Sequence, residues 1–250
     1  MSTFRPKIRP RARSAKSCSV EVNSFEVTKN YVHTDVASVE RIKSLAAAEL
    51  AERTRAFVVP TLISSTDDSN TWRKMPDIAP IREQFGRQRA EELAQQIGRA
   101  LGTIHTELRL PATARFLAPA PFNQQTVPIH GDFGLSNIQY QASTGDIVVL
   151  DWSTADWLGG TFTLAQPEVD LAMFLLDLFY QRPLENATVD APSDLARAFL
   201  FGYTTIRPGG LVRLREGTHH VAHLYLRRAR TGWRRTLRIP SLVRLERLLR

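Results

Sequence analysis

Apolar residues recur along this chain with two different periods, and the changes between them outline its elements. From Val20 to Val32 the alternation is strand-like and puts Phe25, Val27, Lys29 and Tyr31 on one face. Residues 38–53 then read as a helix. Residues 57–63 read as a strand interrupted by Pro60, residues 64–70 as a polar turn, and residues 71–75 as a second short strand. Leu93, Ile97, Leu101, Ile104 and Leu108 recur at three- and four-residue steps, which predicts an amphipathic helix over 90–108. Residues 109–126, rich in Pro, Ala and Gln, read as a connecting loop. Residues 127–129 predict a brief strand, Gly145-Asp146 a turn, and residues 147–150 a buried strand. Residues 171–180 are apolar nearly all round, as a central helix should be, and further helices are predicted over 193–204, 219–230 and 241–250.

One stretch concentrates candidate chemistry: residues 127–153, VPIHGDFGLSNIQYQASTGDIVVLDWS. His130, Asp132 and Asn137 share a short loop, and Asp151 closes the strand that follows. A hairpin across Gly145-Asp146 would bring Asp151 back beside Asp132 and Asn137. Two carboxylates and an amide around one point form an all-oxygen set suited to magnesium. Phosphoryl transfer uses such a set: one carboxylate positions the attacking hydroxyl and accepts its proton, while an amide oxygen and a second carboxylate hold the metal. The interval from Asp132 to Asn137 is that of the kinase pattern H-R-D-x-x-x-x-N. A single Asp or Asn in a loop is more often turn chemistry than a site. The ordered set is what carries the reading.

His130-Gly131-Asp132-Phe133-Gly134-Leu135-Ser136-Asn137, followed by an apolar strand and Asp151-Trp152, resembles the aminoglycoside phosphotransferase and choline kinase family, whose signature is H-G-D-x-x-x-x-N and then D-W or D-F. Pro167-Glu168-Val169-Asp170-Leu171-Ala172 resembles the family's P-x-x-D-L-A, and Leu101 to His105 its L-x-x-L-H helix end. The resemblance spans roughly residues 25–182 and is strongest over 130–152. It implies an α+β, protein-kinase-like two-lobed fold with a reduced β-containing N-lobe and a mainly helical C-lobe. It further implies an ATP-dependent phosphotransferase that moves the γ-phosphoryl group to a hydroxyl of a small molecule of aminoglycoside, choline or sugar type. Asp132 would be the base, and Asn137 and Asp151 would bind Mg2+. Lys29 would hold the nucleotide phosphates and pair with Glu40, with Lys43 as the competing lysine and an edge-strand lysine with a solvated head as the alternative. Residues 74–76 would be the adenine hinge. By the same resemblance His130 would brace the loop and Asp170 would stabilise it without doing chemistry, and His105 is expected to be a packed core histidine. Asp156, Asp177 and Glu185 are candidate acceptor-side acids, each with a surface or capping role as its plainer reading.

The chain departs from the pattern at its start. Its first glycine is Gly86, so no glycine-rich phosphate loop precedes Lys29. Either the turn at Asn23-Ser24 covers the phosphates, or the N-lobe is truncated and holds nucleotide more weakly. The expected division is a basic disordered tail over 1–17, a reduced N-lobe over 18–76 and a helical C-lobe over 77–250.

Composition narrows the surroundings. With 250 residues and 43% apolar content the chain can bury a sizeable core, and a lone Cys18 excludes an internal disulfide framework and a cysteine-based zinc site. No apolar run reaches the length of a membrane span, and the basic start lacks the apolar stretch of a secretory signal, so a cytoplasmic location is expected. Charge is uneven. Residues 1–16 hold six Lys/Arg and no acid, and residues 205–250 hold twelve against Glu216 and Glu246, so the net +8 leaves 17–204 acidic. Arg227, Arg228, Arg230, Arg234, Arg235 and Arg238 cluster near the end. They suggest a second function class: a non-catalytic kinase-like module binding nucleic acid, another anionic surface or a protein partner. His219, His220 and His223 invite a metal reading, but no Glu follows in the place a zinc-protease motif needs. The acceptor and the oligomeric state are not readable from the residues.

Overall fold

The computed structural model describes residues 18–84, 89–155, 161–180, 191–228 and 243–249. The basic tail, Asp156, Glu185 and residues 229–242 lie outside them. The chain opens with a hairpin of β1 (Cys18–Val22) and β2 (Glu26–Tyr31), where one continuous strand pattern had been expected. Asn23 makes the break: its Oδ1 accepts the backbone N–H of Phe25 and of Glu26, both at 2.7 Å, the self-bonding that gives Asn its turn preference. Helix α1 (Thr34–Thr54) begins four residues before the expected start. Asp35 lies in its first turn, where a carboxylate complements the helix dipole.

The predicted strand over 57–63 does not form as one piece. Pro60 has no N–H for a ladder. Val58 instead makes a single parallel bridge to Val148, and β3 (Leu62–Ser65) starts beyond the proline. It pairs with β4 (Ser69–Arg73), completing a four-stranded sheet in the order β1-β2-β4-β3 with α1 beside it.

A second, three-stranded sheet joins β5 (Ile78–Pro80), β7 (Ile138–Gln141) and β8 (Asp146–Val149) in the order β5-β7-β8. The segment after residue 76, expected as linker, thus contributes a strand to the sheet that carries the candidate site. Helices supply the bulk of the remainder: α2 (Ile81–Gln84), α3 (Ala90–Glu107), α4 (Glu168–Tyr180), α5 (Ala191–Ile206) and α6 (Leu214–Arg228). A further helical segment covers 243–248. The five periodic residues of α3 and its end are all buried, each contributing about 1.5–3 kcal/mol relative to exposure. Helices α3 and α5 pack closely because Gly98 faces the backbone of Phe199 and Gly202 that of Gln95, where a Cβ would collide. Helix α4 is buried almost throughout, and Phe174 stacks on Phe199 of α5 at 4.0 Å. The short pair β6 (Val127–Pro128) and β9 (Leu164–Ala165) frames the entry to the candidate loop. No described helix is long and apolar enough to cross a membrane.

Candidate active site

The loop between β6 and β7 is held by buried side chains on several sides. His130 is fully buried; its Nε2 donates to the Leu150 carbonyl at 2.9 Å, and its Nδ1 accepts the Asp132 N–H at 3.2 Å. Burial pushes its pKa down to about 4, so the ring is neutral and bracing, as expected of it. Asp170, at the start of α4, accepts the N–H of His130 at 2.7 Å and of Gly131 at 2.8 Å, and meets His105 Nε2 at 3.1 Å. Burial alone would raise its carboxyl; the hydrogen bond and charge of His105 foremost hold it below the usual range. Gly131 has φ +84, and a Cβ there would come within 3.0 Å of Thr154, so the turn between His130 and Asp132 needs glycine.

Asp132 and Asn137 meet across this loop. Asn137 Nδ2 donates to the Asp132 carbonyl at 2.9 Å and to Asp132 Oδ2 at 3.0 Å. Burial, and then the neighbouring Asp151, raise the Asp132 carboxyl to about 7, against the pull of that amide. A group poised there suits proton transfer near neutral pH.

Strands β7 and β8 return the chain as the sequence implied. Ile138 pairs with Val149, and Leu150 N–H bonds the Asn137 carbonyl at 2.8 Å, which sets Asp151 beside Asn137. Asp151 has φ +54, a left-handed conformation that Asp tolerates better than bulky residues and that strained functional positions often show. Its Oδ1 accepts from Ser153 at 2.5 Å and pairs with the Lys29 ammonium. Burial would raise this carboxyl as well, but the Lys29 charge and these hydrogen bonds hold it low.

Lys29 reaches this point from β2 and meets Glu40 of α1 at 3.0 Å. Burial would lower its pKa, but Asp151 and Glu40 outweigh that and raise it above the ordinary lysine value, so it stays cationic. It is buried, and the solvated edge-strand alternative does not hold. Tyr31 donates to Glu40 at 2.5 Å, and Asn70 Nδ2 approaches Tyr31 Oη at 3.4 Å and bonds the Ala37 carbonyl at 2.9 Å. The structure thus brings Lys29, Glu40, Asp132, Asn137 and Asp151 together, residues up to 122 apart in sequence.

Several contributors were not assigned from sequence. Tyr31 shared the Lys29 face by alternation, a signal that could have placed it, while Asn70 and Ser153 had none. Asp177 turns out to serve the loop: its Oδ2 accepts the Leu135 N–H at 3.1 Å. Lys43 does not reach Lys29's place and instead donates to the His130 carbonyl at 2.5 Å. His219 pairs with Glu246 at 2.6 Å, and among the described residues no group of three His, Cys, Asp or Glu side chains is arranged to hold a metal.

The oxygen set nevertheless suits a hard cation. Asn137 directs its amide N–H groups to Asp132, leaving Oδ1 for another partner, and Asp151 bonds Lys29 and Ser153 through Oδ1, leaving Oδ2.

The family model described as "Phosphotransferase enzyme family" (APH) matches residues 62–209, a range that includes Asp132, Asn137 and Asp151 but not Lys29 or Glu40. A comparison with curated protein sequences returns no match. Among solved structures, a choline/ethanolamine kinase family protein from Mesorhizobium loti superposes with a TM-score of 0.59 at 14% identity, covering 93% of this chain and 85% of its own. APH(2″)-IIa, solved with streptomycin and ATP, gives 0.56 at 14% identity over 88% and 86%. A glucosamine kinase gives 0.57 at 14% identity over 89% and 74%. With a family profile across more than half of its length and a kinase-like two-lobed fold, the chain belongs to the phosphotransferase enzyme family.

Proposed function

We propose that this phosphotransferase moves the γ-phosphoryl group of ATP to a hydroxyl of a small molecule. In this reading, residues 18–76 form the nucleotide-covering lobe and residues 77–250 carry the catalytic loop. Asp132 orients the acceptor and takes its proton as the new O–P bond forms and the bond from the γ-phosphorus to the bridging oxygen of ADP breaks. Lys29, steadied by Glu40, binds phosphate oxygens. Asn137 Oδ1 and Asp151 Oδ2 would hold Mg2+, which supplies charge neutralisation on the phosphates when bound. The carrying observation is the convergence of the Lys29–Glu40 pair with Asp151 beside the Asp132–Asn137 loop.

Two features of the hairpin shape nucleotide binding. Val20 pairs with Lys29 and Val22 with Val27, so these valines share the Lys29 face and offer an apolar roof to a base. The turn itself is a poor phosphate cradle, because Asn23 Oδ1 already occupies the N–H groups of Phe25 and Glu26. Lys74, in the expected hinge, donates its N–H to the Phe25 carbonyl at 2.7 Å and ties the turn down. Phosphate binding therefore falls to Lys29 and the cation.

The acceptor class follows only as far as a small hydroxylated molecule. The acidic middle of the chain favours a cationic one, in line with similar structures whose ligands are streptomycin, gentamicin or glucosamine. The non-catalytic alternative rests on arginines at 227–238 whose side chains lie outside the described residues. The test is calorimetric titration with Mg·ATP, wild type against Asp151→Asn, followed by a screen of amino sugars, aminoglycosides and choline. Saturable binding that weakens in the variant supports the reading. No binding at millimolar ATP rejects it.

A further inference from the structure

Lys43 is a buried charge that the proposed chemistry leaves unused. It lies three residues beyond Glu40 on α1, is wholly buried, and ends on the His130 carbonyl at 2.5 Å. Burial pulls its ammonium down to about 8 while Asp170, Glu40, Asp151 and Asp132 oppose that pull, so it is cationic at neutral pH. A buried ammonium bonded to a carbonyl is expensive, and an unbranched apolar side chain such as Met would fill similar space without that cost.

What the ammonium provides is a hold on one residue. The N–H of His130 goes to Asp170 of α4 and its carbonyl to Lys43 of α1, so a carboxylate and an ammonium grip the same residue through its two backbone groups. Asp132 is two residues further on. The helix that carries Lys43 also carries Glu40, and Glu40 holds Lys29. Helix α1 therefore touches both halves of the site: the cation for the phosphates and the loop that bears the base.

We propose that Lys43 is a positioning residue, which holds the His130 carbonyl from α1 and thereby keeps Asp132 in register with the Lys29–Glu40 pair. The inference rests on the reading of Asp132 as base. Lys43 touches no reacting atom; it acts through the backbone of His130.

The test uses the full chain with Mg·ATP as probe and three readouts: amide hydrogen exchange, calorimetric Kd, and turnover of ATP to ADP. In Lys43→Met, exchange of the amides at 131–135 should accelerate by ~10-fold or more while those within α4 stay as in wild type. Turnover should fall about 10- to 100-fold, with the Kd for Mg·ATP within about threefold. Lys43→Gln, which keeps a donor, should regain part of both losses. Unchanged exchange at 131–135, uniform acceleration across the molecule, or turnover and binding lost in equal measure would each overturn the proposal. Failure of the underlying reading looks different: Asp132→Asn would then keep full turnover. If Lys43→Met does not fold, the wild-type chain labelled with 15N-lysine decides. A slowly exchanging Lys43 ammonium next to His130 is expected, and a freely exchanging one overturns the proposal.

Discussion

The loop that carries Asp132 and the N-terminal sheet that carries Lys29 converge on Asp151, yet they are held in opposite ways. The loop is braced locally and from below: Asn137 to Asp132, His130 to Leu150, and Asp170 to two successive N–H groups, all against the main core. The sheet has a small separate cluster of Tyr31, Ala37 and Trp72, and leaves Val20, Val22 and Phe25 exposed. What anchors it is polar: Lys29, Glu40, Tyr31 and Asn70. In the proposed function, chemistry that tolerates little displacement would sit on the part with redundant bracing, and the nucleotide grip on the part held by charge. That contrast predicts different failures for different substitutions.

The largest effect belongs to the loop. Asp132→Asn removes the proposed base while leaving a side chain of the same shape, and kcat for phosphoryl transfer should fall by about 10²–10⁴. Binding of Mg·ATP should change by no more than a few-fold, because Asp132 is on the acceptor side of the proposed chemistry. Steady-state kinetics beside calorimetry separates the two quantities. A variant that loses ATP affinity and keeps turnover would reverse the assignment of roles.

The sheet should fail through stability. Lys29→Met leaves Glu40, and Asp151 beside it, without their shared cation, an arrangement that costs about 3–5 kcal/mol. Lys29→Met combined with Glu40→Leu should recover only part of that in urea denaturation, since it removes the Glu40 charge but leaves Asp151 without its cation and the Tyr31 hydroxyl without its acceptor. A single variant destabilised by less than about 1 kcal/mol would mean that the sheet is not held by its charges, a loss in the range of an exposed pair.

The same contrast decides what could be read in the residues. Asp132, Asn137 and Asp151 were legible because local chain geometry, a five-residue loop and one hairpin, puts them together. His105 and Asp170 were legible through flanking motifs. Lys29 with Glu40 was a choice between two lysines, since alternation shows a shared face but not what that face meets. The contacts of Lys43 with His130 and of Asp177 with Leu135 span 87 and 42 residues, and no local pattern encodes them. Strand β5 was missed because Ile78-Ala79-Pro80 is short and ends in proline, and only its partner β7 makes it a strand. Likewise Val58 has a bridge because β8 lies alongside it, not because its neighbours favour a strand.

A third prediction uses pH, in metal-free buffer without nucleotide, to probe the loop alone. His130 titrates near 4 when folded against 6.5 ordinarily, so the unfolded chain binds more protons in that window and stability falls as pH drops through it. Asp132 titrates near 7 against 3.8, so the folded chain keeps the proton and stability falls as pH rises over nearly the same range. Each amounts to about 3–4 kcal/mol, of opposite sign. Wild-type stability should therefore be nearly flat from about pH 4.5 to 6.5 as far as these two groups decide it. Asp132→Asn should unmask the histidine, with stability falling by about 2–3 kcal/mol from pH 6.5 to 4.5 in denaturant titrations. A variant as flat as wild type would show that the two groups are not opposed.

The smallest expected effect tests how the hairpin covers the nucleotide. Asn23 Oδ1 occupies two turn N–H groups that a glycine-rich loop would leave for phosphate. Asn23→Ala removes those exposed hydrogen bonds and should cost about 0.5–1.5 kcal/mol in stability. If the turn takes no part in holding phosphates, the Kd for Mg·ATP should stay within about twofold, a change near 0.4 kcal/mol. Tighter binding by about threefold or more would mean that the released N–H groups can be recruited to the phosphates, making Asn23 a brake on nucleotide affinity. Binding weakened about tenfold would mean that the turn geometry is itself part of the grip, and the contrast between a braced loop and a charge-held sheet would have to be redrawn with the turn on the braced side. Because Lys74 N–H ties Phe25 independently of Asn23, the hairpin should keep its position in the variant, so any change in affinity reports on those two groups rather than on a displaced strand.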